Sequence, residues 1–282
     1  MTGSLLRSFG LRRRYLALPG IKQFARMLSQ RGLVSDFLLR GVPIDEPGNL
    51  TLDEHALRYW FDTEQGLDYF LYWRGFKAWE YQSVSSFSRL ARSARTVIDV
   101  GANTGVYSLI AAAANPNARI HAFEPTPSTY KSLIRNVALN GIEVRCQPYQ
   151  IALSNSIGSA NFDLPADLTM ARMIGTATPT SIEVPVSTLD TVVDITEPID
   201  LIKIDVEGFE DLVLEGATGI LRQWKPAILF ELLPGGPAER IENLLGPLGY
   251  RFQCILGSGP VDIERLTDEH APHNNFLALS RQ

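Results

Sequence analysis

A chain of 282 residues, 45% hydrophobic and 20% charged, is long enough for one large core and has the make-up of an ordinary globular protein. It has no uninterrupted apolar run of the ~18 residues that suggest a membrane span. Its two cysteines, Cys146 and Cys254, give neither a disulfide framework nor a metal-ligand spacing and read as buried thiols in a reducing, cytoplasmic compartment.

The net charge of −5 is uneven: residues 1–35 hold Arg7, Arg12, Arg13, Arg14, Lys22, Arg26 and Arg31 but no acid, a charge of +7 that leaves −12 for the rest. Such an arm fits an organelle-targeting segment, a membrane-surface helix, a lid over an anionic substrate, or a solvated helical extension. Arg12–Arg14 and Pro19 interrupt the apolar residues and count against a secretory signal. With an acidic body and basic residues concentrated in the arm rather than around the predicted site, nucleic acid is not an expected partner. Residues 36–95 carry three of the four tryptophans together with Tyr59, Tyr69, Tyr72 and Tyr81. They read as a helical cap on the rest of the fold, their aromatics serving as core or as a carbohydrate platform. Residues 1–70 are thus taken as arm and cap, and 71–282 as the ligand-binding domain.

From about residue 96, strand-like and helix-like patterns alternate, the signature of a parallel α/β sheet. Thr96–Val100 is the first strand and Val106–Ala114 its helix. Arg119–Phe123 is followed by a helix near Ser128–Asn140, which ends on Asn140-Gly141. Val144–Pro148, Leu201–Asp205 with its helix Phe209–Leu221, and Ala227–Glu231 continue the series. Tyr250–Leu256 and Phe276–Ser280, with no clear helix between them, read as an antiparallel pair at the sheet edge. Ser159–Leu164 and Ser181–Val186 are extra strands flanking an irregular loop, Pro165–Thr180.

The loop Gly101–Gly105 follows the first strand, where open α/β sheets bind ligands. A dinucleotide loop wants a glycine where Asn103 stands and another where Val106-Tyr107 stands; a phosphate loop wants Lys-Ser or Lys-Thr after its last glycine. Asp99, expected at the mouth of this crevice, would repel a pyrophosphate and welcome an ammonium group. Glu124 ends the second strand 23 residues after Gly101, a spacing that suits bonds to both hydroxyls of a ribose. An adenosine without phosphates and with an ammonium group is S-adenosylmethionine.

The stretches TVIDVGANTGVYS, HAFEPTPSTYKSLIRNVALNG, VPVSTLDTVV, DLIKIDVEGFEDLVLEGA and ILFELLP, spread over about residues 70–282, resemble in order the blocks of FkbM-type methyltransferases. The resemblance implies a class I methyltransferase (Rossmann-like) fold: a seven-stranded, mostly parallel sheet with one antiparallel strand near the C-terminal edge, here with an N-terminal helical extension. It implies S-adenosylmethionine as cofactor and mostly O-methylation. Gly101, Asn103, Thr104 and Gly105 then border the methionine part, Asp99 is the strand-one acid and Glu124 the ribose acid. The adenine contact maps loosely to Ile151-Ala152-Leu153.

Attack of a hydroxyl on an activated methyl is helped by positioning and by a base or a metal. Asp205, Glu207 and Glu231 cluster after strands four and five and are the catalytic candidates. Glu207 precedes a helix, so capping is an equal reading. Lys203, in an apolar strand, calls for a carboxylate partner: Asp205, Asp99 or Glu231. His270 and His273 lack a third placed ligand, and no metal is expected. The reading is a methyltransferase for a hydroxyl of a small molecule or glycoside. The alternatives are an NAD(P)-binding oxidoreductase and a non-catalytic relic that binds cofactor.

Overall fold

The computed structural model of the chain describes residues 15–163, 172–174, 178, 181–194, 196–266 and 274–280. Helix α1 (Pro19–Gln30) is followed by an antiparallel hairpin, β1 (Glu46–Leu52) and β2 (His55–Phe61). Along β2, Leu57, Tyr59 and Phe61 are buried while Ala56 and Arg58 are exposed, the period of two of a half-buried strand. The all-helical cap expected over residues 36–95 is corrected accordingly: α2 (Gly66–Arg74) and α3 (Tyr81–Ala91) are helices, but residues 46–61 are sheet. Helix α2 runs across the boundary expected at residues 70/71.

Next come β3 (Thr96–Val100), α4 (Val106–Ala114), β4 (Arg119–Phe123) and α5 (Pro127–Leu139), close to where the sequence puts them. β5 (Cys146–Tyr149) starts two residues late, because Val144 is fully exposed in a turn and Cys146 is the first residue drawn inward. β6 (Ala152–Leu153), β7 (Gly158–Asp163), β8 (Arg172–Ile174) and β9 (Ser181–Ser187) form a separate small sheet in the order β6-β9-β7-β8. After β10 (Leu201–Ile204) the single helix expected over 209–221 is two short ones, α6 (Glu210–Glu215) and α7 (Thr218–Gln223), broken at Gly216-Ala217. β11 (Ala227–Glu231), α8 (Ala238–Leu245), β12 (Tyr250–Leu256), β13 (Gly259–Ile263) and β14 (Asn275–Ser280) complete the chain.

The main sheet runs β13-β12-β14-β11-β10-β3-β4-β5. It is parallel from β11 to β5, and β14 enters antiparallel between β11 and β12. The count is therefore eight strands rather than seven. The extra one is β13, which folds back on β12 through the two-residue turn Gly257-Ser258 and takes the edge expected for the β12–β14 pair. Pro260 is tolerated in it because an edge strand leaves one row of N–H groups unused.

Side chains alternate between the two faces of the sheet and so divide the core. Val97, Leu201 and Leu229 pack on the side of α3, α4 and the hairpin, while Ile98, Ile202 and Ile228 face α6, α7 and α8. The same parity sends Asp99, Lys203 and Glu231 to the α3–α4 side. The hairpin is tied to this layer by two amides one turn apart, Asn136 on α5 and Asn140 at its C-terminal cap. Asn136 accepts from Trp60 N–H (2.7 Å) and donates to Thr104 O (2.9 Å), and Asn140 both accepts from Arg58 N–H (3.1 Å) and donates to Arg58 O (2.7 Å). These bonds satisfy the outer edge of β2 as a further strand would.

Candidate active site

A cavity of 390 Å³ lies beyond the carboxyl ends of β3, β4, β10 and β11, a size that suits a small molecule. The loop after β3 forms one wall. Gly101 (φ +71°) presses backbone against backbone, and a Cβ there would lie 1.8 Å from Asp205 O. The N–H groups of Gly101 and Ala102 both donate to Phe123 O, at 3.0 and 2.9 Å, and the Asn103 side chain accepts from Thr104 N–H at 2.8 Å.

Gly101, Asn103, Glu124 and Ala152 line the cavity, as do Asp205, Glu207 and Glu231. Asp99, Thr104 and Gly105 do not. Asp99 is not at the mouth of the crevice: every residue of β3 is buried, and its carboxylate faces α4, where Ser108 donates to it at 2.7 Å. Its other oxygen has no hydrogen-bond partner, and burial pushes its pKa up. The Thr104 hydroxyl, fully buried, turns toward the N-terminal layer and bonds to Tyr59 and to Asp68 (3.1 Å). Asp68 also accepts from the Tyr59 hydroxyl, and burial raises its pKa to about 7.

Glu124 is held on both oxygens: Oε2 accepts from Asn103 N–H (3.1 Å) and Oε1 from Thr126 N–H (2.8 Å). The Thr126 side chain donates to it as well, and of the roughly four acceptor positions of a carboxylate this leaves room for a further donor. Burial raises this carboxyl to about 7 against the pull of those amides, so hydroxyl donors from a diol would find an acceptor whose ionised form they favour. Across the cavity, Phe123, Ile151, Leu153, Phe162 and Met173 give an apolar wall. A pinned carboxylate, a glycine-bearing loop and an apolar slot fit the ribose, methionine and adenine parts of S-adenosylmethionine.

Asp205, Glu207 and Glu231 bring carboxylate oxygens within 4.8 Å of one another. Lys203, buried, gives Asp205 an ion pair at 2.9 Å, donates toward Gly101 O at 3.5 Å, and stands 4.9 Å from the centre of the Tyr107 ring. Despite burial, Lys203 holds the Asp205 pKa below the usual carboxylate range; burial and the neighbouring acids raise Glu231 to about 9. The two carboxyl groups are hydrogen-bonded to each other, with Asp205 shifted toward its ionised form and Glu231 toward its protonated form. Glu207 sits in the left-handed region (φ +57°), and the amides of Val206 and Gly208 are taken by Glu210 rather than by Glu207. No side chain caps the start of α6, whose first-turn acids are Glu210 and Asp211 rather than Glu207. His270 and His273 lie outside the described residues.

Residues 99–252, more than half of the chain, match the family model of the methyltransferase FkbM domain. The chain belongs to the FkbM methyltransferases. It is 30% identical over 222 residues to methyltransferase sdnD of Sordaria araneosa, covering 66% of this chain and 81% of that protein. Among solved structures, the FkbM methyltransferase of Methylobacillus flagellatus is 15% identical with a TM-score of 0.44, over 66% of this chain and 43% of that one, so the chain spans less than half its length. A SAM-dependent methyltransferase from Agrobacterium tumefaciens is 14% identical with a TM-score of 0.44, over 84% and 71% of the two chains.

This FkbM methyltransferase uses S-adenosylmethionine, and the oxidoreductase reading is set aside. Its cavity has one further acid that the sequence did not single out. Glu80, just before α3, lines the cavity with φ at +42° and accepts from Tyr107 Oη at 3.1 Å. It is bonded to the Asn275 side chain, and its charge helps raise Glu231. A non-glycine residue held in that backbone region marks a position fixed by its surroundings. Nothing in the pattern Trp79-Glu80-Tyr81 places it in the crevice; only the packing of α3 on α4 does.

Proposed function

We propose that this FkbM methyltransferase methylates a hydroxyl oxygen of a small molecule or glycoside, with Asp205 accepting the proton. The observation that supports this is the cluster of Asp205, Glu207 and Glu231 lining the cavity with carboxylate oxygens within 4.8 Å of one another, and Lys203 2.9 Å from Asp205. When bound, S-adenosylmethionine supplies a methyl made electrophilic by its sulfonium. The residues supply the rest: the Gly101–Gly105 loop and Glu124 orient the donor, and the carboxylates orient the acceptor O–H. The oxygen–methyl bond forms as the sulfur–methyl bond breaks, and the acceptor oxygen becomes strongly acidic. An Asp205 carboxylate held at low pKa is therefore basic enough to take the proton, leaving a neutral ether and S-adenosylhomocysteine. Glu231, shifted toward its protonated form and hydrogen-bonded to Asp205, lines the same cavity. Cys146 and Cys254, both buried and unpaired, favour a reducing, cytoplasmic setting for this chemistry.

The experiment is calorimetry with S-adenosylhomocysteine, using NAD as control, followed by a screen of hydroxylated glycosides with methyl-labelled donor. A methyl ether product, and an Asp205→Asn variant that loses turnover while retaining S-adenosylhomocysteine affinity, are the expected results. An N-methyl product, or equal losses of turnover and affinity, would overturn the assignment.

A further inference from the structure

Helix α1 is packed with its polar side inward. Its buried residues are Lys22, Ala25 and Ser29. Lys22 pairs with Glu46 at 3.1 Å. Arg26 donates to Tyr72 O (2.8 Å) and Asn49 O (3.0 Å), with its guanidinium 4.4 Å from the centre of the Tyr72 ring. Arg74 of α2 clasps the far end by donating to Ser29 O and Val34 O, each at 3.1 Å. The apolar side faces outward: Ile21 is 42%, Phe24 59% and Met27 38% exposed, at steps of three, with Leu18 before them and Leu33 and Phe37 after. Of the thirteen large apolar side chains exposed among the described residues, eight fall within residues 15–38, so this is a patch and not the scatter of an ordinary surface.

Charge selects what covers it. Residues 1–35 hold no acid, and besides Lys22 and Arg26, which are engaged inward, this segment of the sequence carries Arg7, Arg12, Arg13, Arg14 and Arg31. A second copy docking through the same face would set two acid-free arms against each other, each with five arginines besides the engaged Lys22 and Arg26. An exposed apolar stripe in an acid-free, arginine-rich segment of the sequence instead matches the acyl boundary and anionic headgroups of a bilayer. No helix among the described residues is long and apolar enough to cross a membrane. We propose that α1 lies in the interface of an anionic lipid surface and docks the protein there. Helix α2, which holds α1 through Tyr72 O and Arg74, also presents Gly66, Leu67 and Phe70 to the cavity. Docking therefore brings a lipid surface against the layer that walls the site. That is suited to a lipid-borne acceptor, a consequence that rests on the methyl-transfer reading; the docking itself does not.

The test is flotation of the full-length protein with vesicles of phosphatidylcholine alone or with about one-third phosphatidylglycerol. Binding to the anionic vesicles is expected to exceed that to neutral ones by about tenfold or more and to fall away in about 0.5 M salt. A Phe24→Ser, Met27→Ser double variant should lose at least about tenfold in partitioning. Its circular dichroism and S-adenosylhomocysteine affinity should be unchanged, since both side chains are exposed. No flotation, equal binding to both vesicles, an unaffected variant, or a dimer in sedimentation equilibrium that the variant dissolves would each overturn the proposal. None of these readouts involves turnover, so failure here leaves the methyl-transfer reading standing.

Discussion

Lys203 and Asp205, two residues apart at the end of β10, form an ion pair of 2.9 Å in which the lysine side chain is 7% exposed and the aspartate 35%. Lysine is the cation in a crevice that also holds Glu80, Glu207 and Glu231. Replacing Lys203 with Met leaves Asp205 among these acids with no counter-charge. We expect a loss of about 2–4 kcal/mol in denaturant unfolding, below the full buried-pair range because Asp205 meets solvent. An unchanged midpoint would show that the acids relax without the lysine.

Glu231 predicts a pH dependence of definite sign. Its folded pKa of about 9 lies above the value of ~4.3 for an unfolded glutamate. The folded protein therefore holds a proton that the unfolded chain has released. The resulting stability is complete below the unfolded value and is lost as pH climbs through the folded one. Glu231→Gln removes this dependence while retaining a donor for Asp205. Between about pH 6 and 9 the wild type should lose stability more steeply than the variant, by up to ~1.4 kcal/mol per pH unit. Parallel stability curves from melts across that range would contradict it.

Two glycines with positive φ separate crowding from backbone strain. Gly101→Ala would drive a methyl into Asp205 O, whereas a Cβ on Gly208 (φ +99°) would meet nothing within 4 Å. The first should cost several kcal/mol and abolish S-adenosylhomocysteine binding; the second should cost about 1–2 kcal/mol, the strain alone. Equal effects in melting and calorimetry would remove the packing argument for the loop.

Glu124→Ala removes the acceptor for two backbone amides and the proposed partner of the ribose. Cofactor affinity should fall by about 1.5–3 kcal/mol, read calorimetrically with S-adenosylhomocysteine. Unchanged affinity would end the ribose assignment.

Much of this was readable in the residues. The strand Thr96–Val100 and the loop after it were visible because a β-branched run meets glycines at fixed offsets, and Lys203 needed an acid because an apolar strand cannot hold a lone ammonium. The hairpin was obscured by aromatics that suit helix and strand alike, although Leu57, Tyr59 and Phe61 alternate as a strand requires. Gly257-Ser258-Gly259-Pro260 carried turn chemistry that hid β13. Asp99 misled because β3 is buried on both faces, so an acid near its end need not face the crevice. Glu80 could not be found from local pattern, since its place depends on packing between segments remote from β10 and β11.

The bonds from Tyr59 and Asp68 to Thr104, and from Asn136 and Asn140 to β2, bear on where this protein can be divided. The family match covers residues 99–252, yet a chain starting near residue 71 would leave Thr104 without either buried partner and both asparagines facing absent backbone. The cofactor loop would then lack its scaffold on one side. Grafts or exchanges between relatives that respect only the shared segment should inherit its sequence without its shape, because the portion that carries the kinship is shorter than the portion that folds.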